Sequence, residues 1–491
     1  MVFNSFEFLI FFPAVLLLYF ILPHKARWII LLAASYYFYI SWNFSLVWLI
    51  LFTTSVSYAS SIIIGSLKKR HPNGERRGAE RFWLILTLLV SLGVLFFFKY
   101  FNFLSASVCG VIGLFTGTSP SLALELILPV GISFYTFQTL SYVIDVYRGK
   151  VDPERHFGYY ALYVSFFPQL VAGPIERPEN LLPQLREKHT FNWNSTASGL
   201  RKMLIGFFKK VVVADLLAVY VNSVYNAPEE STGLGVLIAT VLFSFQIYCD
   251  FSGYTDIAIG CAEIMGIRLM QNFDRPYISE SIKEFWRRWH ISLSSWFKDY
   301  VYFPLGGSRC KLPRHMLNIF IVFLVSGLWH GAAWTFVLWG ALHGIYQIIG
   351  HFTKGPREKL WRLIHVDPDC RAVRILKKVN TFILVSFAWI FFRANSFADL
   401  GVLLSKLFTD WSVSPSYFAG TLDRMDLTAL ALLTAVLSIL VLDRMDACGL
   451  GEASTRRRSA SRYVFTVWAV AVAWLILMMG DGSSNFIYFQ F

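Results

Sequence analysis

Residues 82–103 read FWLILTLLVSLGVLFFFKYFNF, an apolar run interrupted by a single charge, Lys99. A helix needs about 20 apolar residues to cross a bilayer core, where every backbone polar group must be bonded within the segment. This run has that length, so it reads as a spanning helix. The stretch just before it, KKRHPNGERRGAER (68–81), is strongly basic. Short basic loops stay on the cytoplasmic side. One span and its flank thus give both a fold class and an orientation.

The pattern repeats outward from that span. Further apolar candidates lie near 6–22, 28–42, 44–66, 122–146, 158–172, 203–222, 234–265, 316–329, 334–350, 379–393, 427–442 and 463–480. Several are short enough to be re-entrant or interfacial. The expectation is an all-α polytopic membrane protein with about 11 to 13 spanning or re-entrant helices, a single membrane domain over 1–491 with no internal repeat. The basic stretches 175–210, 268–315, 354–378 and 444–462 join 68–81 on the cytoplasmic side, whereas 104–121 is uncharged and 226–232 carries only Glu229 and Glu230. Both the N-terminus and the tail GDGSSNFIYFQF (480–491) then fall on the periplasmic side, which requires an odd number of crossings. The N-terminal FEFLIFFPAVLLLYFIL (6–22) lacks a basic leader and a small-residue cleavage site, so it reads as a first span and not as a signal peptide.

Composition agrees. Of 491 residues, 56% are hydrophobic and 15% charged, against about 25% charged in soluble domains. So little polar surface excludes a water-soluble enzyme, a disordered chain and a disulfide scaffold. The net charge of +13 is no nucleic-acid signal, because the cations sit in short loops where topology uses them. Cysteines 109, 249, 261, 310, 370 and 448 form no C-x-x-C pair and no zinc-like spacing with histidine, so no metal is expected.

Three stretches place polar groups where the membrane disfavours them. FSFQIYCDFSGYTDIAIGCAEIM (243–265) carries Asp250, Asp256 and Glu263 within apolar sequence. Such groups face a cavity or a partner, and an Arg from 268–288 is a candidate partner that would tie down a loop. Gly253 marks an expected helix break. SESIKEFWRRWHISLSSWFKD (279–299) opens with capping-box spacing at Ser281 and Glu284. Trp286 and His290 are four apart and share a face of one helix, while Trp289, Leu293 and Trp296 form another stripe. Too polar to span, it reads as an interfacial or re-entrant helix on the cytoplasmic side. Anchoring to lipid by Trp and Arg explains all of it except His290. FLVSGLWHGAAWTFVLWGALHG (323–344) sets His330 between two apolar arms beside Gly327 and Gly331. An imidazole titrates near neutral pH and suits general-base work, although a hydrogen-bonded core histidine is the commoner outcome. The same holds for His343.

The runs VSFFPQLVAGPIERPENLLPQL (164–185), FSFQIYCDFSGYTDIAIG (243–260), NFDRPYISESIKEFWRRWHISLSSWFKDYVYFPLGG (272–307) and SGLWHGAAW (326–334), with the tail FIYFQF (486–491), resemble the membrane-bound O-acyltransferase (MBOAT) superfamily. The chain is most similar to the bacterial branch that O-acetylates alginate. The strong motifs cover about 125–345. The resemblance implies a helical bundle around a tunnel, with the family's near-invariant histidine at His330 and a second histidine at His290. It implies that Asp250, Ser252, Tyr254, Asp256, Glu284 and Arg287 are supporting polar groups of that tunnel. No bound cofactor is implied; acetyl-CoA is the acyl donor, and the partner is a separate periplasmic protein of the SGNH-hydrolase type that esterifies an exported glycan in the cell envelope of a bacterium. Alginate is the first acceptor to consider, with peptidoglycan or another envelope glycan as the alternative.

The mechanism expected from both readings is as follows. The basic 268–315 face attracts the phosphates of coenzyme A. His290 lies near the cytoplasmic mouth and His330 deeper, as general base. Tyr488 in the tail receives the acyl group, since a phenol with a pKa of about 10 makes a good leaving group. The competing role for Phe486, Tyr488, Phe489 and Phe491 is interfacial anchoring. A transporter or flippase is the alternative of another class; it calls for matching broken helices in repeated halves, which are absent here.

Overall fold

The computed structural model describes residues 1–71, 76–117, 122–422 and 429–447, with Val472, Phe486 and Ile487. The described residues form helices and turns, with no strand among them. Among the described residues, five helical segments are long and apolar enough to cross a membrane: Phe44–Arg70, Arg77–Thr116, Gly233–Ile264, Leu312–His330 and Arg371–Arg393. The chain is a multi-pass membrane protein. Its first decisive span shows why. Along Arg77–Leu95 the buried positions are Glu80, Thr87, Ser91 and Leu95, while Phe82, Ile85, Leu89 and Leu92 are exposed. Water would reverse that pattern; lipid favours it.

The chain divides into two compact units, 1–203 with 255–270, and 204–254 with 271–491. In the first, Val47–Arg70 packs on Arg77–Leu95 and Ile132–Arg148, and His24–Ile40 packs on Phe157–Ser165. The buried face of Val47–Arg70 carries Thr53, Thr54, Ser57, Ser60 and Ser61. Small hydroxyl residues let helices approach closely and bond across the seam: Ser57 Oγ lies 2.7 Å from Tyr160 OH. Glu263, one of the three carboxylates noted in 243–265, is answered by Lys202 at 2.6 Å.

In the second unit, Leu312–His330 and Trp334–Leu363 form an antiparallel pair, and Arg371–Arg393 packs on the latter. Trp289, Trp339 and Trp389 are the largest fully buried side chains at its core.

Several sequence expectations change here. The 122–146 span is helical only over Ile132–Arg148; Pro129 disfavours helix in the residues before it. The 158–172 span is a nine-residue helix, Phe157–Ser165, ending ahead of Pro168. The 203–222 span passes through a π-helical turn, Phe208–Ala214. Lys209 and Lys210, counted among the loop cations of 175–210, lie on that turn and are 6% and 1% exposed. The uncharged 104–121 stretch is helical to Thr116. Two further helices, Phe397–Thr409 and Pro415–Leu422, lie between the expected spans 379–393 and 427–442. Gly253 does not break its helix, which is continuous over Gly233–Ile264. A Cβ there would sit 2.8 Å from the Gly206 carbonyl oxygen, so this glycine serves close packing. Apart from Val472, the 463–480 span lies outside the described residues, as does the tail from Tyr488 onward.

Candidate active site

The site belongs to the second unit and is built on two backbone features. The first is a glycine-mediated helix crossing. A Cβ on Gly327 would lie 2.3 Å from the Phe336 carbonyl oxygen, and one on Gly340 would lie 2.3 Å from that of Phe323. Only glycine allows the two backbones to meet so closely. The crossing fixes the end of Leu312–His330, whose last residue is His330. Its ring lies 4.9 Å from Trp329, 5.0 Å from Trp339 and 5.3 Å from Phe392.

The second feature corrects the sequence reading. The expected single helix over 279–299 is two, Ile282–Arg288 and Ile291–Phe297, and His290 stands between them with φ +44°. Ser281 caps the first by accepting from Glu284 N at 3.2 Å, as its spacing predicted. A left-handed backbone is costly for a residue with a side chain and persists only where its surroundings hold it. Asn272 supplies that hold. Its carbonyl accepts from Ile291 N at 2.9 Å. Its Oδ1 accepts from His290 Nδ1 at 3.1 Å and from Ser292 Oγ at 2.9 Å. Because Oδ1 can only accept, His290 Nδ1 carries the proton and Nε2 is the ring's acceptor.

The two histidines come together. His290 and His330 are 0% and 3% exposed, with ring centroids 6.5 Å apart. They share one buried cluster of rings. Phe251 meets His290 edge-on at 4.7 Å. Trp286, Trp289 and Trp296 are buried as well, which removes the reading of this segment as a lipid anchor. His343 is the core histidine of the set: its Nδ1 accepts from Trp286 Nε1 at 3.2 Å.

The supporting residues separate. Asp250 pairs with Lys210 at 2.7 Å, not with an Arg from 268–288. Tyr254 is buried against Phe486, with ring centroids 5.1 Å apart. Ser252 is buried. Asp256 is half-buried and belongs to the first unit. Glu284 bonds Arg288 at 3.0 Å, and Arg287 is exposed. Two buried residues of this neighbourhood had escaped the sequence reading. Asn272 opens the run NFDRPY but carries no spacing signal of its own. Lys210, in contrast, was visible as a cation within apolar sequence that needed a carboxylate.

Two buried imidazoles in a shell of aromatic rings can take and return a proton while water is kept out. Comparison with known proteins places the chain in a family. Residues 154–394 match the model of the membrane-bound O-acyltransferase family. The chain is 38% identical over 445 residues to the protein named probable alginate O-acetylase AlgI of Azotobacter vinelandii, covering 90% of this chain and 84% of that one.

The chain belongs to the membrane-bound O-acyltransferase family.

It is an O-acyltransferase with its two histidines inside the matched region. Other relatives differ in the acceptor that their names give. The peptidoglycan O-acetyltransferase of Helicobacter pylori is 36% identical, over 79% of this chain and 75% of its own length. The teichoic acid D-alanyltransferase of Bacillus subtilis is 30% identical, over 55% of this chain and 69% of its own. These relatives are thus named for three different cell-envelope polymers.

Proposed function

We propose that this acyltransferase sits in the bacterial inner membrane, takes an acetyl group from cytoplasmic acetyl-CoA and passes it across the membrane for O-acetylation of an exported polysaccharide such as alginate. The observation that carries the proposal is the buried pair His290 and His330, 6.5 Å apart and enclosed by aromatic rings. Both termini lie on the periplasmic side, as the basic loops direct.

His330 removes the phenolic proton of Tyr488 as that oxygen attacks the thioester carbonyl. The C–O bond forms, the C–S bond breaks, and the proton passes from the imidazolium to the departing thiolate. His290, oriented by Asn272, presents Nε2 to the acyl group's surroundings and sets its position. The resulting tyrosyl ester hands the acetyl group to a serine of an SGNH-hydrolase-like periplasmic partner, which esterifies the sugar hydroxyl and regenerates the phenol. A covalent relay divides one difficult transfer into two easier ones. Water exclusion by the aromatic shell protects the thioester.

The alginate assignment draws on the relatives. Identity to the alginate O-acetylase extends over 90% of the chain, against 79% for the peptidoglycan enzyme, which makes peptidoglycan the second acceptor to test.

The experiment offers radiolabelled acetyl-CoA to the purified protein in liposomes and follows label on the protein and as free acetate. Label retained on the wild type but not on Tyr488→Phe is the expected result. Full activity of Tyr488→Phe removes the relay, and absence of turnover with acetyl-CoA once the partner is supplied removes the donor.

A further inference from the structure

Asp250 is 2% exposed, and each of its oxygens has a separate partner. Oδ1 accepts from Lys210 Nζ at 2.7 Å. Oδ2 accepts from the backbone N–H of Ile487 at 2.8 Å. Lys210 is shared, bonding Asp215 Oδ1 at 2.9 Å as well. A buried carboxylate demands donors at both oxygens. The tail amide meets that demand. The residue before it, Phe486, is 1% exposed. The Lys210 ammonium stands 4.7 Å from its ring centroid, and Tyr254 meets its ring at 5.1 Å, near perpendicular.

We propose that Asp250, Lys210 and Tyr254 form a seat for the C-terminal segment, holding Phe486 by its ring and Ile487 by its backbone, and that Asp250 is thereby a positioning residue for acyl transfer. A side-chain pocket fixes which residue enters, while a backbone hydrogen bond fixes its register. The seat is also placed for the task. Asp250 and Tyr254 are four apart on one helix, and Phe251, the residue after Asp250, packs against His290 at 4.7 Å. Lys210 reaches the seat from a π-helical turn, a distortion that recurs at functional sites. The positioning role rests on the reading of Tyr488, the next residue, as the acyl acceptor.

The test compares the full-length wild type with Asp250→Asn, Ile487→Pro, the double variant and Tyr488→Phe in lipid nanodiscs. Hydrogen exchange of the C-terminal peptide is measured together with transfer activity. Asp250→Asn is expected to speed exchange of the tail by at least about tenfold, the loss expected for one charge-assisted hydrogen bond, and to lower transfer by a similar factor. Ile487→Pro removes the tail donor together with the packing of the Ile487 side chain but leaves the Asp250–Lys210 pair of the body in place, so it keeps the test valid if Asp250→Asn folds poorly. It is expected to lose transfer too, with the double variant no worse than the weaker single. Unchanged tail exchange in Asp250→Asn, normal transfer despite a loosened tail, or additive losses in the double variant each overturn the proposal. Full activity of Tyr488→Phe with a loosened tail in Asp250→Asn instead overturns the relay and leaves the seat.

Discussion

His290 Nδ1 donates to Asn272 Oδ1 at 3.1 Å, and the same oxygen accepts from Ser292 Oγ at 2.9 Å. One amide thereby fixes the tautomer of a buried imidazole and braces a backbone turn that interrupts a helix. Asn272→Ala is expected to lower transfer about 10- to 100-fold, as loss of a group that orients a functional histidine does, and to cost about 1–3 kcal/mol of stability through unsatisfied buried partners. Turnover and thermal unfolding of the purified variant check both.

The backbone at His290 gives a second prediction. With φ at +44°, glycine suits the position better than alanine by about 1–2 kcal/mol. His290→Gly is expected to unfold at a higher temperature than His290→Ala, while both lose transfer. Equal stability would mean that the turn relaxes when the imidazole is gone.

Gly327→Ala tests the helix crossing beneath His330. The added methyl would lie 2.3 Å from the Phe336 carbonyl oxygen, and overpacking of this kind costs about 1–3 kcal/mol or more. The expected outcome is a lowered unfolding temperature with a larger proportional loss of activity, because His330 is three residues away. Gly340→Ala should act alike, since it closes the same crossing from the other helix.

These predictions concern features of unequal legibility. The membrane class followed from run length and loop charge, and the capping box at Ser281 and Glu284 from spacing alone. That His290 and His330 belong to one site was implied only by resemblance, and their 6.5 Å separation was not legible at all. The break at His290 was illegible, because Trp286 and His290 keep helical spacing and the turn depends on Asn272, eighteen residues earlier. The partner of Asp250 was misassigned, because Lys210 is forty residues away and reaches it from a π-helical turn. Helix Phe397–Thr409 carried a readable start signal, Ser396 accepting from Asp399 N at 3.0 Å, but its short length kept it from standing out among candidate spans.

Glu176 gives the first unit a pH dependence. It lies between Phe157–Ser165 and Pro178–Arg186, outside the spanning helices. Burial pushes its carboxyl up to about 7 from 4.5, against the opposing hydrogen bonds of Met270 N and Asn180. The folded state therefore holds this proton more tightly than the unfolded state. The group's stabilisation is complete below its unfolded value and is lost as pH rises through its folded one. The unfolding temperature is expected to fall as pH rises from 4.5 to about 7, and Glu176→Gln should flatten that slope. An unchanged slope in the variant would assign the dependence to another group.

His330 acts, in the proposed function, as the base of an acyl transfer. The most direct measurement is the rate of acetyl transfer from acetyl-CoA by His330→Ala, reconstituted in liposomes with its partner and compared with the wild type at equal folded concentration. Removal of a general base is expected to slow transfer by about 10²- to 10⁴-fold with the unfolding temperature little changed. Transfer within twofold of the wild type would contradict the account.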